Sequence, residues 1–333
     1  MRDDAKKKKK AAARRRKVTS SAPIIPNRGE ELAYERALRK LCKGMVVDSG
    51  RAMVRLYKQY NRSIEEGADM ALVAQAISEK VEFDLAAMWD IYAEKFAAEG
   101  KELATAMVAR QTSLALRTAR KAAAEAMTGA GGAGGGIIPP GGGAEKVIPE
   151  VLPPSGGALP PPGVSGMGGV GEIMTIHGDA IPAEVAPTVQ AAITENANLI
   201  KSIPPQYLDR IAGAVTRSMQ AGGSTRALID EIQRYGQMTL RRARNIARDQ
   251  VHKAFESINI AEFKRLGIRK FRWMHTGGST HPREYHLRNA PSGLNNGVFS
   301  LDDPPVIDQR TGEKGFPGQL PFCRCTMCAV VEW

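Results

Sequence analysis

The chain has 333 residues, a formal charge of +12 and 43% apolar residues, enough for more than one packed core. No run of eighteen apolar residues occurs, so no membrane span is expected, and the first residues lack the apolar core of a secretory leader. Three of the four cysteines, Cys323, Cys325 and Cys328, crowd into six residues; that is no disulfide framework, and it points to a reducing compartment.

The charge is concentrated at the start. Arg2, Lys6, Lys7, Lys8, Lys9, Lys10, Arg14, Arg15, Arg16 and Lys17 against Asp3 and Asp4 leave +8 on residues 1–17, and only +4 on the remaining 316. Residues 1–26 therefore read as a basic, extended or disordered arm. Such an arm binds polyanions by counterion release, without sequence preference and with steep salt dependence. Its cations are the candidate nucleic-acid contacts.

Residues 27–127 read as a helical domain: 30–43, 49–66 and 68–126 are rich in Ala, Leu, Met, Glu and Lys and free of proline. Leu72, Ala76, Val81, Leu85, Met88, Ile91 and Tyr92, enlarged by Trp89 and Phe96, recur at helical spacing and predict an apolar stripe that must be buried. Residues 128–169 change character completely. Runs such as Gly129 to Gly136 and Pro160 to Gly163 cannot build a core and read as a flexible linker.

Residues 170–333 read as a second domain, helices first and a small sheet after, so the fold class is α+β. Helices are expected at 191–201, 205–221, 225–235 and 239–266, with Pro205 in a first turn and Ser224 as a cap. In the last of these Ile246, Val251, Ala254, Phe255, Ile258 and Phe263 face inward. Arg241, Arg242, Arg244 and Arg248 form either a solvated face or a second phosphate-contacting surface. Strands are expected at 268–275, with Phe271 and Trp273 alternating, at 297–301 and at 326–333.

Chemistry concentrates in the last sixty residues. His281, His286, Cys323 and Cys325 are a candidate metal set: zinc takes four such donors, and a small irregular domain gains folding energy by supplying them. Cys-X-Cys brings two sulfurs to one face of a strand, or together in a tight turn. The alternative is reduced cysteines filling a small core. A second alternative is catalysis, with His286 as a base and Arg283 stabilising phosphate, a nuclease-like skeleton that lacks paired carboxylates. Asp302 and Asp303, beside prolines, read as turn formers.

These residues also carry a resemblance. Asn198-Leu-Ile-Lys-Ser-Ile-Pro204, Ile246-Ala-Arg-Asp-Gln250, Trp273-Met-His-Thr-Gly-Gly278, Pro282-Arg-Glu-Tyr-His286, Val298-Phe-Ser-Leu-Asp-Asp303 and Pro321-Phe-Cys-Arg-Cys325 occur in order over some 135 residues. This stretch resembles the phage head morphogenesis family of minor head proteins, the group that includes the phage Mu F-like protein. The resemblance marks Arg248, Asp249, Trp273, Arg283, His286, Cys323 and Cys325 as a shared core, without assigning them a reaction. It implies a structural, non-enzymatic capsid protein of the virion, inside the head near the portal vertex, and in the host cytoplasm during assembly. The implied partners are the portal protein, the major capsid protein and double-stranded DNA, with several copies around the portal. The implied roles are head assembly and DNA packaging or delivery. A general nucleic-acid-binding protein is the remaining alternative.

Overall fold

The computed structural model describes residues 18–129, 175–176, 179–221, 224–277 and 282–332. The basic residues from Arg2 to Lys17, the Gly/Pro segment after Gly129 and His281 lie outside the described residues. Among the described residues no helix is long and apolar enough to cross a membrane.

The N-terminal region is two long helices. Helix α1 (Arg28–Glu65) starts at Asn27, whose side chain accepts the Gly29 N–H at 2.7 Å, and α2 (Met70–Thr128) starts at Asp69, which accepts from Ala71 and Leu72. Both caps satisfy N–H groups that a helix end leaves orphaned. The break expected between 43 and 49 is absent. Gly44 and the Asp48-Ser-Gly sequence look like a turn, yet Met45, Ser49, Gly50 and Met53 are all buried and packing carries the helix through.

The stripe expected on α2 is partly corrected. Val81, Leu85, Tyr92 and Phe96 are buried, whereas Leu72 and Ile91 are 68% and 61% exposed and Trp89 is half-buried at best. Ile77, which is also buried, takes the place of those two on the stripe, so the inward face is rotated from the one the spacing suggested.

After the short antiparallel pair β2 (Thr175–Ile176) and β3 (Asp179–Ala180) come α3 (Ala186–Lys201), α4 (Ile203–Gln220) and α5 (Thr225–Arg265). Prolines occupy the first turn of α4, and Ser224 caps α5 by accepting the Ala227 N–H at 3.2 Å. Ile246, Val251, Ala254, Phe255, Ile258 and Phe263 are buried along α5 as the spacing predicts. Helix α5 is continuous, although Gly236 suggested a boundary. A Cβ at Gly236 would lie 2.6 Å from Val46 Cγ1, so that glycine lets α1 and α5 approach closely there.

The α1–α2 pair and α3–α5 share one apolar core. Tyr34 of α1 reaches Asn196 of α3 at 3.3 Å, and Tyr57 of α1 donates to the Ser218 carbonyl of α4 at 3.2 Å. The long N-terminal helices thus cover the faces that the C-terminal helices would otherwise leave open to water.

A four-stranded antiparallel sheet closes one end, in the order β1 (Val18–Ser20), β8 (Thr326–Glu332), β4 (Lys270–Met274), β5 (Val298–Ser300). A small pair, β6 (Val306–Asp308) with β7 (Glu313–Lys314), lies outside it. Residues 18–24, read from the sequence as part of the arm, run along β8: Ser21 and Ile24 donate to the Ala329 and Met327 carbonyls, and Ile24 is buried. Pairing there satisfies an edge that β8 would otherwise expose.

Candidate metal centre

The register of β4 on β8 builds the site. Lys270 faces Val330, Phe271 faces Ala329, Trp273 faces Met327 and Met274 faces Thr326. Phe271 and Trp273 point to one side, and both are fully buried. Cys325 directly precedes β8 on that same side. Cys328 is three positions on and falls on the other side, beside Arg272, which removes it from the cluster.

The turn before β8 carries both cysteines, and the rest of the molecule holds it from several directions. The Phe322 N–H donates to Asp249 Oδ1 of α5 at 2.7 Å, with Phe322 itself at φ +60. The Cys323 N–H closes onto the Leu320 carbonyl at 3.0 Å. Arg283 donates to the Pro321 carbonyl at 3.3 Å, and His252 of α5 meets the Cys325 carbonyl through Nε2 at 2.8 Å. Arg324 reaches Glu31 of α1 at 3.2 Å, and Arg248 approaches the same carboxylate at 3.3 Å.

His286 arrives on the one-turn helix α6 (Glu284–Leu287). Its Nδ1 lies 3.6 Å from Cys323 Sγ and 3.7 Å from Cys325 Sγ, and its Nε2 lies 2.9 Å from the Ile307 carbonyl. A carbonyl only accepts, so Nε2 carries a proton, and Nδ1 faces the two sulfurs. The Trp273 ring packs edge-on against the His286 ring at 5.2 Å. Its indole N–H is buried without an oxygen or nitrogen acceptor, and the group it favours is the Cys325 sulfur.

His286, Cys323 and Cys325 are 3%, 5% and 2% exposed, and their donor atoms all lie within 4.8 Å of one another, close enough to coordinate one metal ion. A hydrogen bond from Cys325 pushes the Cys323 thiol down, with His286 adding to the effect; the same bond and burial push Cys325 up. One of the two sulfurs is thereby held as a ready thiolate. Burial lowers the pKa of His252 and of His275, which favours the neutral ring in both. Burial also raises the Asp249 carboxyl, against the opposing hydrogen bond from Phe322.

The structure thus brings together Arg248, Asp249, Trp273, Arg283, His286, Cys323 and Cys325 around one turn. Asp302 and Asp303 stay apart, paired with Lys264, Arg269 and Lys314. The arginine run on α5 divides. Arg248 pairs with Glu31, Arg242 donates to Ser202 and Gln206 of the α3–α4 corner, and Arg241 and Arg244 are exposed. Sequence reasoning missed His275, whose Nδ1 lies 3.5 Å from Cys325 Sγ. The alternation Phe271, Trp273, His275 gave the side of the strand it takes, but not its partner across β8.

A mainly helical scaffold closed by a small antiparallel sheet, with a buried Cys/His cluster at the seam, is the class of protein that these features define. Residues 209–328 match the family described as Phage Mu protein F like protein. The match shows that this part of the chain is similar to that family. An uncharacterized protein of Haemophilus influenzae is 30% identical over 144 residues, which cover 43% of this chain and 30% of that relative. The chain therefore spans less than a third of the length of the curated relative it matches. No solved structure matches.

Proposed function

We propose that the protein is a structural component of a tailed-phage head, seated inside the head at the portal vertex, where it aids head assembly and DNA packaging or delivery. The observation that carries this reading is the family match over residues 209–328, the segment that supplies every donor of the buried cluster. Its partners in this reading are the portal protein, the major capsid protein and double-stranded DNA. Several copies surround the portal, and the Lys/Arg arm of residues 1–17 holds DNA by charge alone.

The cluster is a structural zinc site in this reading. Closed sites surrounded by protein hold a fold together, whereas catalytic zinc keeps a position open to substrate. Burial of all three donors favours the first. The nuclease reading needs His286 as an accessible base, yet that ring is buried, Nε2 is committed to the Ile307 carbonyl and Nδ1 faces sulfur. Arg283 donates to the Pro321 carbonyl. The protein acts here without turnover.

Two preparations test this. Particles made with and without the protein are compared by mass spectrometry and by packaged DNA. Retention in purified heads, with fewer filled heads in its absence, is expected. Strand cleavage by the purified protein that His286→Ala abolishes without loss of folding would overturn the structural role.

A further inference from the structure

We infer that His275 is the fourth donor of this metal site, so that the ion bound is tetrahedral, Cys2His2, and clamps the end of β4 to the start of β8. The inference rests on the metal reading above and goes beyond it by naming the complete donor set. His281, the fourth donor expected from the sequence, is replaced by a residue the strand pairing selects.

Each β4–β8 partner pair from Lys270–Val330 to Met274–Thr326 steps one residue forward on one strand and one back on the other. The next step sets His275 opposite Cys325. Side chains alternate along strands, so His275 leaves β4 on the side of Phe271 and Trp273, the side of the cluster. The contact agrees, with His275 Nδ1 at 3.5 Å from Cys325 Sγ.

Distances carry the argument further. With zinc–sulfur bonds of about 2.3 Å and zinc–nitrogen bonds of about 2.0 Å at tetrahedral angles, a sulfur and a nitrogen bound to one ion stand about 3.5 Å apart. Three of the four sulfur–nitrogen edges of such a set stand at 3.5, 3.6 and 3.7 Å. His275 lies outside the trio whose donor atoms are all within 4.8 Å of one another, so its ring must swing inward to complete the tetrahedron. Both histidines offer Nδ1, and the His275 backbone is fixed on each side: its N–H donates to Asn295 Oδ1 at 2.9 Å, and the Thr276 hydroxyl donates to the Arg324 carbonyl. Supporting hydrogen bonds of this kind orient metal ligands.

The test uses the full chain, loaded with zinc or cobalt(II). Bound metal is measured by elemental analysis, and affinity by competition with a chelating dye. The full chain is expected to hold one zinc per chain and, with cobalt, to give the visible bands of a tetrahedral thiolate site. His275→Ala is expected to weaken binding by more than about 100-fold, beyond the loss typical of a supporting residue, while His281→Ala leaves it unchanged. His275→Cys is expected to keep a tetrahedral ion with stronger thiolate-to-cobalt absorption, which separates a lost ligand from a lost fold. Unchanged affinity in His275→Ala, or loss in His281→Ala, would overturn the assignment while leaving the metal site standing. A full chain that takes up neither metal would overturn the metal reading itself.

Discussion

Arg324, between the two cysteines, reaches Glu31 in the first turn of α1 at 3.2 and 3.4 Å, joining the start of the helical region to the turn that carries the donor cluster. Glu31 is 6% exposed and also receives Arg248 and Arg28. Replacing its charge by Glu31→Gln leaves three guanidiniums facing a neutral group. A cost of about 2–3 kcal/mol is expected, below the ~3–5 kcal/mol of a fully buried broken pair because Arg248 keeps access to water. Urea unfolding of the variant measures it, and an unchanged midpoint would remove this pair from the account.

The crossing of α1 and α5 is tight enough for a double-mutant test. Gly236→Ala puts a methyl 2.6 Å from Val46 Cγ1 and is expected to destabilise by about 1–3 kcal/mol through overpacking. Adding Val46→Ala opens the space, so the double variant is expected to recover part of that loss, a coupling that thermal unfolding of the four proteins reads directly.

A buried acid gives a pH signature. Thr326 Oγ1 touches both the Ile24 carbonyl and Glu256 Oε1. The Thr326 hydroxyl donates to Glu256 Oε1, which favours the charged carboxylate, but full burial of the group opposes it more strongly. Burial accordingly raises the Glu256 pKa well above its usual 4.5. A raised pKa means the folded state holds the proton more tightly. The stabilisation is full below pH 4.5 and is lost as pH rises toward the folded value, by at most about 1.4 kcal/mol per pH unit. Glu256→Gln keeps an oxygen that accepts from Thr326 and has no proton to lose. Its stability relative to the parent chain is expected to increase from pH 5 to pH 8, and a constant difference would show that Glu256 is ionised.

The four cysteines are expected to react in two classes. Burial pushes Cys42 and Cys328 up to about 12, and neither touches the cluster. With metal bound, no thiol reacts quickly with a disulfide reagent. After chelation Cys323 and Cys325 become reactive while Cys42 and Cys328 wait for unfolding, and the melting temperature falls. Four equally fast thiols after chelation would contradict the placement.

Removal of residues 1–17 is expected to weaken DNA retention and to flatten its dependence on salt, since each phosphate neutralised contributes about −0.9 to the slope of log K against log salt. Filter binding at several salt concentrations checks it. An unchanged slope would move DNA contact away from the arm.

Much of the fold was legible where one physical rule dominated. Helical composition without proline marked both long N-terminal helices, and alternation of Phe271 with Trp273 marked β4. Legibility failed where tertiary packing overrode local preference. Gly44 and Gly236 look like helix ends in isolation, and only the α1–α5 crossing explains why the chain runs straight through Gly236. The site was half visible. His286, Cys323 and Cys325 stand out by type and spacing, but His275 becomes a candidate only once β4 is paired with β8, a long-range register that no local pattern encodes.

The most direct test of the central claim is high-resolution imaging of intact particles, with the portal vertex reconstructed without imposed capsid symmetry. The account predicts density for α1 to α5 inside the head beside the portal, the basic arm of residues 1–17 directed toward DNA, and a compact peak among His286, Cys323 and Cys325. Mature heads that lack the protein altogether would contradict it.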